Sequence, residues 1–315
     1  MLENQNTPIP MLFFGSDYYS TIALSLLLEN NMHIVGIVTG TSDASLPFSY
    51  QSVTDIAKKH HIPYLTVSNK RDLIEHEPTI SSWQALVGFV ASFGTIIPQS
   101  TYCLPSWGTF NLHPSLLPSF RGPSPLEQTI LSGVESSGVT VIKINNGVDT
   151  GNIISQKPLP VLPTDTTLSL ANRLYREGID QFISLLNTTF DGKFIETEQD
   201  DTKATYTTRY HKEDAQIDWN LPVQQIDRMI RAYYPKPLAW TTVSELILQY
   251  NPTVTVRENW TQKRIQILEA TYISGTLKPK TVVIEGKTPI PWEAFLNGYV
   301  GTIHTRYASH NSPMQ

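Results

Sequence analysis

The chain has 315 residues, 40% of them hydrophobic and 16% charged, with a formal net charge of −5, the profile of a soluble globular protein long enough for two domains. Its single cysteine, Cys103, excludes an intrachain disulfide and, with no cysteine partner, makes a poor metal ligand; a small buried hydrophobe is its expected role. The first Lys or Arg is Lys58, and the longest mostly apolar run, residues 85–97, falls short of the ~20 residues that cross a bilayer, so export and membrane insertion are not expected and a cytoplasmic location is.

Apolar runs alternate with helical patterns over the first 190 residues, the layout of a parallel sheet flanked by helices. Residues 11–15 read as a first strand, and a helix begins at 20–28. Strands follow at 33–38 and 63–67 with a helix at 52–61 between them, and 84–91 is a continuous apolar run of the kind buried on both faces. Residues 109–113 and 139–144 read as further strands around a helix at 124–131. A helix at 166–186 carries Leu168, Ala171, Leu174, Phe182 and Leu185 at helical spacing, with Asp165 as its expected cap.

Periodicity dissolves between residues 190 and 204, which read as a linker. A helix at 222–233 then places Val223, Ile226, Met229 and Ile230 on one face. Short β-type runs at 239–243, 264–269 and 281–284 predict a small, mostly β second domain. Charge divides along the same line: residues 208–315 hold 12 Lys and Arg against 9 Asp and Glu, whereas residues 1–207 hold 11 against 19. A mildly basic domain on an acidic chain fits either ordinary solvated surface or contact with a polyanion such as RNA.

The first strand-to-helix junction offers one glycine, Gly15, where a dinucleotide-binding turn needs G-x-G-x-x-G, and no phosphate loop of the G-x-x-x-x-G-K-[ST] type occurs. Nicotinamide, flavin and nucleotide-hydrolysing chemistry are therefore disfavoured.

Residues 111–122, NLHPSLLPSFRG, carry the chemical signal. In a strand, residues two apart share a face, so Asn111 and His113 present a carboxamide and an imidazole together. The amide N–H can stabilise a developing oxyanion, and the imidazole can hold or move a proton near neutral pH. Ser115 lies outside any G-x-S-x-G elbow, so the attacking nucleophile is expected from a substrate. Downstream, Asp149 stands in the glycine-bounded turn 146–151, and convergence with His113 beyond the carboxyl ends of the strands would let it raise the proton affinity of the imidazole. A turn-forming Asx residue remains the competing reading for Asp149, and a satisfied polar pair at a sheet end for Asn111 and His113.

Together with Arg121-Gly122, Gly138-Val139-Thr140 and Gly147-Val148-Asp149-Thr150-Gly151, this stretch resembles the formyltransferase family that uses 10-formyltetrahydrofolate, marked by N-x-H-x-S-L-L-P, R-G and a D-T-G turn. In the second half, Thr205-Tyr206, Ile217-Asp218-Trp219 and the run 230–240, IRAYYPKPLAW, look like the methionyl-tRNA formyltransferase branch, as do Glu285-Gly286-Lys287-Thr288-Pro289 and Phe295-Leu296-Asn297-Gly298. The resemblance covers residues 11–300. It implies an open, Rossmann-like, mostly parallel sheet with helices on both faces, followed by a small OB-like β-barrel. It places a catalytic domain at 1–189, the linker at 190–207 and a tRNA-binding domain at 208–315.

The family's roles carry over residue by residue. Asn111, His113 and Asp149 become the catalytic trio, and Ser115, Leu116, Leu117 and Pro118 a folate-contacting loop. The implied donor is 10-formyltetrahydrofolate with no metal, the acceptor is initiator methionyl-tRNA, and a monomer is expected. Three features depart from the pattern. Residues 39–51 contain no Lys or Arg where this branch carries a longer basic loop, Ser119 stands where a basic residue often follows S-L-L-P, and the stretch 255–281 is short for the family's barrel. The competing substrate reading is an amino-sugar nucleotide formylated by the same trio. A formyltetrahydrofolate hydrolase would leave the second domain without a task, and a non-catalytic folate- or RNA-binding relative would not need the intact trio.

Overall fold

A computed structural model describes residues 8–41, 51–189, 191–250 and 258–299. Two compact units divide the chain at Arg209/Tyr210.

The first unit is built on a seven-stranded sheet: β1 Met11–Phe14, β2 Ile34–Gly40, β3 Tyr64–Val67, β4 Val87–Val90, β5 Gly108–His113, β6 Ser136–Lys143 and β7 Ile153–Pro160. Its order is β3-β2-β1-β4-β5-β6-β7. Strands β1 to β5 pair in parallel, and β6 and β7 are antiparallel additions. Among the described residues six α-helices accompany them: α1 Tyr18–Glu29, α2 Val53–Lys59, α3 Lys70–Ser82, α4 Gln99–Tyr102, α5 Pro125–Ser132 and α6 Thr167–Thr188. The expected open, mostly parallel α/β sheet is present.

Side-chain alternation explains why both faces are covered. Phe13, Phe89 and Phe110 are register partners on one face, where Phe182 of α6 meets Phe89 at 4.7 Å and Phe110 at 5.3 Å between ring centroids. Leu12, Phe14, Val38 and Val90 turn the other way and pack with Leu73 and Ile80 of α3. Each fully buried Phe contributes about 1.5–3 kcal/mol to the stability of the unit.

Two elements of this unit escape the hydrophobic pattern. Helix α3 buries only Leu73 and Ile80 and contains Pro78, so its apolar stripe is too thin to mark it; it is nucleated by Asn69, whose side chain accepts from the N–H groups of Arg71 and Asp72. Strand β7 carries Pro158 and Pro160, which an edge strand tolerates because one side of it needs no donors. The cap of α6 is Thr166 in place of the expected Asp165, whose buried carboxylate instead accepts from Leu162 N and pairs with Arg173. Cys103, expected as a buried hydrophobe, is exposed, because it follows the single turn of α4 and donates its N–H to Gln99 O at 3.0 Å.

Residues 190–207, read from sequence as a linker, fall within the first unit, and several of them are bonded to its core elements. Phe194 packs edge-on against Phe110 at 4.7 Å, Thr197 bridges Ile153, and Tyr206 bridges Arg121.

In the second unit, α7 Val223–Ala232 precedes an antiparallel sheet of order β11-β10-β9-β8, formed by β8 Ala239–Thr242, β9 Arg264–Ile273, β10 Thr276–Ile284 and β11 Ile290–Pro291. Helices α8 Val243–Tyr250 and α9 Trp292–Tyr299 complete it. Ile226, Met229 and Ile230 of α7 are buried as their spacing predicts, while Val223 is half-buried. Strands β9 and β10 are one long hairpin whose two-residue turn, Ser274-Gly275, has positive φ at both positions (51° and 83°). The described part of the shortened stretch, 258–281, supplies this hairpin, and residues 255–257 lie outside the described residues. Among the described residues no helix is long and apolar enough to cross a membrane.

Candidate active site

Strand β5 presents the site. Leu112 faces α6, where its side chain lies against Gly178, so Asn111 and His113 project from the opposite face as their spacing predicts. Asn111 is half-buried and His113 is 3% exposed.

Asp149 joins them. Asn111 Nδ2 donates to Asp149 Oδ1 at 3.2 Å, and His113 Nδ1 lies 3.6 Å from Asp149 Oδ2. The route differs from the one expected. Because β6 runs antiparallel to β5, with Ile144 N bonded to Thr109 O, the turn after β6 departs beside the start of β5 and not at a shared carboxyl end. Asp149 reaches the pair because residues 145–150 fold back. Asn145 Oδ1 accepts from Gly147 N and Thr150 Oγ1, and Asp149 itself sits at φ 53°, a conformation that costs a non-glycine residue about 1–3 kcal/mol and persists only where its surroundings enforce it. Gly151 is required at the foot of the turn, since a Cβ there would stand 1.8 Å from Lys143 O.

The second Asp149 oxygen is held by Gly122 N at 2.8 Å. Gly122 has φ 114° and an added Cβ would lie 2.7 Å from Thr207 O, which gives the R-G pair a backbone reason. His113 Nε2 is 2.9 Å from the carbonyl oxygen of Phe120. A carbonyl can only accept, so the proton of neutral His113 is assigned to Nε2 and its lone pair to Nδ1, on the Asp149 side.

The loop after β5 is braced from below. Ser115 is fully buried and its hydroxyl donates to Ser119 O at 2.6 Å; Leu117 is 3% exposed, its N–H bonded to Thr140 Oγ1 and its carbonyl to Gln156 Nε2. Leu116, which packs over Gly138, and Pro118 are half-buried and form the more open part of the loop.

Arg121, 2% exposed, is the largest fully buried side chain among the described residues and gives the R-G pair a second purpose. Burial opposes its charge, but hydrogen bonds to Asp201 and Tyr206 outweigh that and raise its pKa. Its guanidinium donates to Gln199 Oε1 at 2.8 and 3.1 Å, and Gln199 Nε2 donates to the carbonyls of Asp149 (2.8 Å) and Gly151 (2.7 Å). No periodic signal marks Gln199, which lies in a polar, aperiodic stretch; the buried cation that demands a partner becomes visible only in three dimensions. Among the described residues no group of three or more His, Cys, Asp or Glu side chains could hold a metal ion.

On a mostly parallel α/β sheet, the amide of Asn111 and the imidazole of His113 both meet the carboxylate of Asp149, an arrangement suited to acid–base and group-transfer chemistry. Family models described as Formyl transferase and Formyl transferase, C-terminal domain match residues 13–186 and 209–300, and the chain belongs to the formyltransferase family. A methionyl-tRNA formyltransferase of Chloroflexus aurantiacus is 34% identical over 278 residues, covering 87% of this chain and 84% of that one. One from Wigglesworthia glossinidia brevipalpis is 32% identical over 76% of each chain. The solved methionyl-tRNA formyltransferase from Clostridium thermocellum shares the fold, with a TM-score of 0.60 at 17% identity over 88% of this chain and 98% of that one.

Proposed function

We propose that the enzyme transfers the formyl group of 10-formyltetrahydrofolate to the α-amino group of initiator methionyl-tRNA, as a cytoplasmic monomer. The observation that carries this reading is the Asn111–His113–Asp149 contact within a chain matched in both domains to methionyl-tRNA formyltransferases.

The bound donor supplies an electrophilic formyl carbon, on which the substrate amine forms its new C–N bond as the bond to the folate nitrogen breaks. The loop residues suit such a donor: half-buried Leu116 and Pro118 offer apolar surface to a flat ring, while Ser115 and the backbone of Leu117 already have their polar groups bonded within the protein. Ser115 and Leu117 therefore shape the wall, and Leu116 and Pro118 form its surface.

Asn111 Nδ2 has a second N–H beyond the one given to Asp149, and it stabilises negative charge on the formyl oxygen. Asp149, bonded on both oxygens, orients the incoming amine and accepts its proton. His113 takes up that positive charge at Nδ1, where the imidazolium pairs with Asp149, and returns the proton as the leaving nitrogen departs. The exposed Lys212, Lys236, Lys263 and Lys287 of the second unit fit contact with phosphates. Residues 42–50 of the basic-free 39–51 segment lie outside the described residues.

Purified protein with 10-formyltetrahydrofolate tests the acceptor. Initiator methionyl-tRNA should be formylated and an amino-sugar nucleotide left unchanged; the opposite pattern would establish the amino-sugar reading and reject this one.

A further inference from the structure

The segment 197–207 reaches the backbone of Asp149 directly and the ring of His113 through one intermediary. At Asp149 the contact is made by Gln199. Arg121 can only donate, so it fixes the orientation of the Gln199 amide: Oε1 faces the guanidinium, and Nε2 must face the carbonyls of Asp149 and Gly151. Arg121 is in turn committed, because a buried guanidinium needs its partners and Asp201 Oδ1 at 2.7 Å is the anionic one.

Towards His113 the intermediary is Phe120. Its carbonyl accepts from His113 Nε2, its N–H donates to Thr205 Oγ1 at 2.8 Å, and its φ is 60°. The flanking peptides are held by the same segment, through Arg121 N to Thr205 O at 2.9 Å and Thr207 N to Arg121 O at 2.7 Å.

We infer that residues 197–207 are a positioning strap for the reaction, with Gln199 setting the Asp149 turn and Thr205 setting the Phe120 carbonyl that holds the His113 ring; this rests on the roles proposed above for His113 and Asp149. Asp149 and Phe120 both have positive φ, a backbone state that persists only where surroundings enforce it, and the segment supplies one restraint to each, beside those Asp149 receives from Asn111 and Gly122. On this reading the strap sets the Asp149 peptide and the Phe120 carbonyl that decides which imidazole nitrogen bears the proton.

Near-isosteric variants separate positioning from folding. Gln199→Glu keeps the acceptor for Arg121 and removes both N–H donors, leaving the carbonyls of Asp149 and Gly151 facing a carboxylate. Thr205→Val keeps shape and removes the acceptor of Phe120 N–H, and Thr205→Ser restores it. Misplacing a reacting group by about 1 Å costs roughly 100-fold, so Gln199→Glu should lower kcat about 10- to 100-fold with both KM values within about 2-fold of wild type. Thr205→Val should lower kcat less and displace the pH-rate profile, with Thr205→Ser close to wild type in both. Thermal unfolding of each variant identifies any loss that comes from instability. His113→Ala is the control for the underlying reading: if it keeps its rate, the catalytic assignment fails. If His113→Ala is inactive while Gln199→Glu and Thr205→Val fold and keep wild-type kcat and pH profile, the strap is overturned and the catalytic assignment stands. A rise in KM at constant kcat overturns it equally.

Discussion

Around His113 the polar groups are buried or half-buried and bonded to one another, whereas many of the Lys and Arg side chains of the second unit stand on its surface. Asp149 accepts from Asn111 and Gly122 and faces His113. In the second unit, Lys278 and Lys280 form exposed pairs with Glu293 and Glu269, of the kind worth little in water, and Lys212, Lys263 and Lys287 are exposed. Chemistry on a small group requires fixed geometry, while attraction of a polyanion requires only local charge, and the two requirements leave opposite traces. Substitutions in the first region should act on rate and be steep; those in the second should act on affinity, be gradual and depend on salt.

Variants can break that contrast. The largest effect after His113 is expected for Asp149→Asn, which keeps the shape and removes the proposed proton acceptor: kcat should fall about 10²- to 10³-fold, read by single-turnover formylation. Asn111→Ala removes the proposed oxyanion donor and should cost about 10² in kcat with KM little changed. Replacing Lys212, Lys263 and Lys287 by Gln should leave kcat intact and raise KM for tRNA, with the slope of log affinity against log salt reduced by roughly one for each lysine that meets a phosphate. A loss of kcat in the lysine variants, or of tRNA affinity alone in the Asn111 variant, would dissolve the distinction.

The smallest effect concerns stability. Burial, and less strongly the charge of Asp17, push the carboxyl of half-buried Glu127 in α5 up to about 7 from the ordinary 4.5, against an opposing backbone hydrogen bond. A carboxyl whose folded pKa is raised helps the folded state fully below its unfolded pKa, and that help is lost as pH rises through the folded value. Glu127→Gln should therefore match wild type near pH 4 and be more stable at pH 8 by about 1 kcal/mol, a discounted figure because the group is partly exposed. Denaturant titrations at the two pH values measure it.

How much of this was legible beforehand depended on whether the cause was local. Strand β5 and the shared face of Asn111 and His113 follow from a period of two, and α7 from its apolar stripe. Helix α3 was hidden because only Leu73 and Ile80 are buried on it, and β7 because an edge strand can carry prolines. The Ser274-Gly275 turn was readable chemistry that strand-length runs on either side obscured. Asp149 was identifiable as a turn residue near a reactive pair, yet the antiparallel direction of β6 reversed the end from which it arrives. Gln199 was invisible, since its significance comes from a buried arginine 78 positions away.

In the proposed mechanism His113 carries the proton that formyl transfer moves. Single-turnover formylation of initiator methionyl-tRNA by wild type and His113→Ala, at saturating 10-formyltetrahydrofolate, is the sharpest test of that role. The variant should be slower by about 10³-fold or more with tRNA binding unchanged. A variant rate within a few-fold of wild type would contradict it.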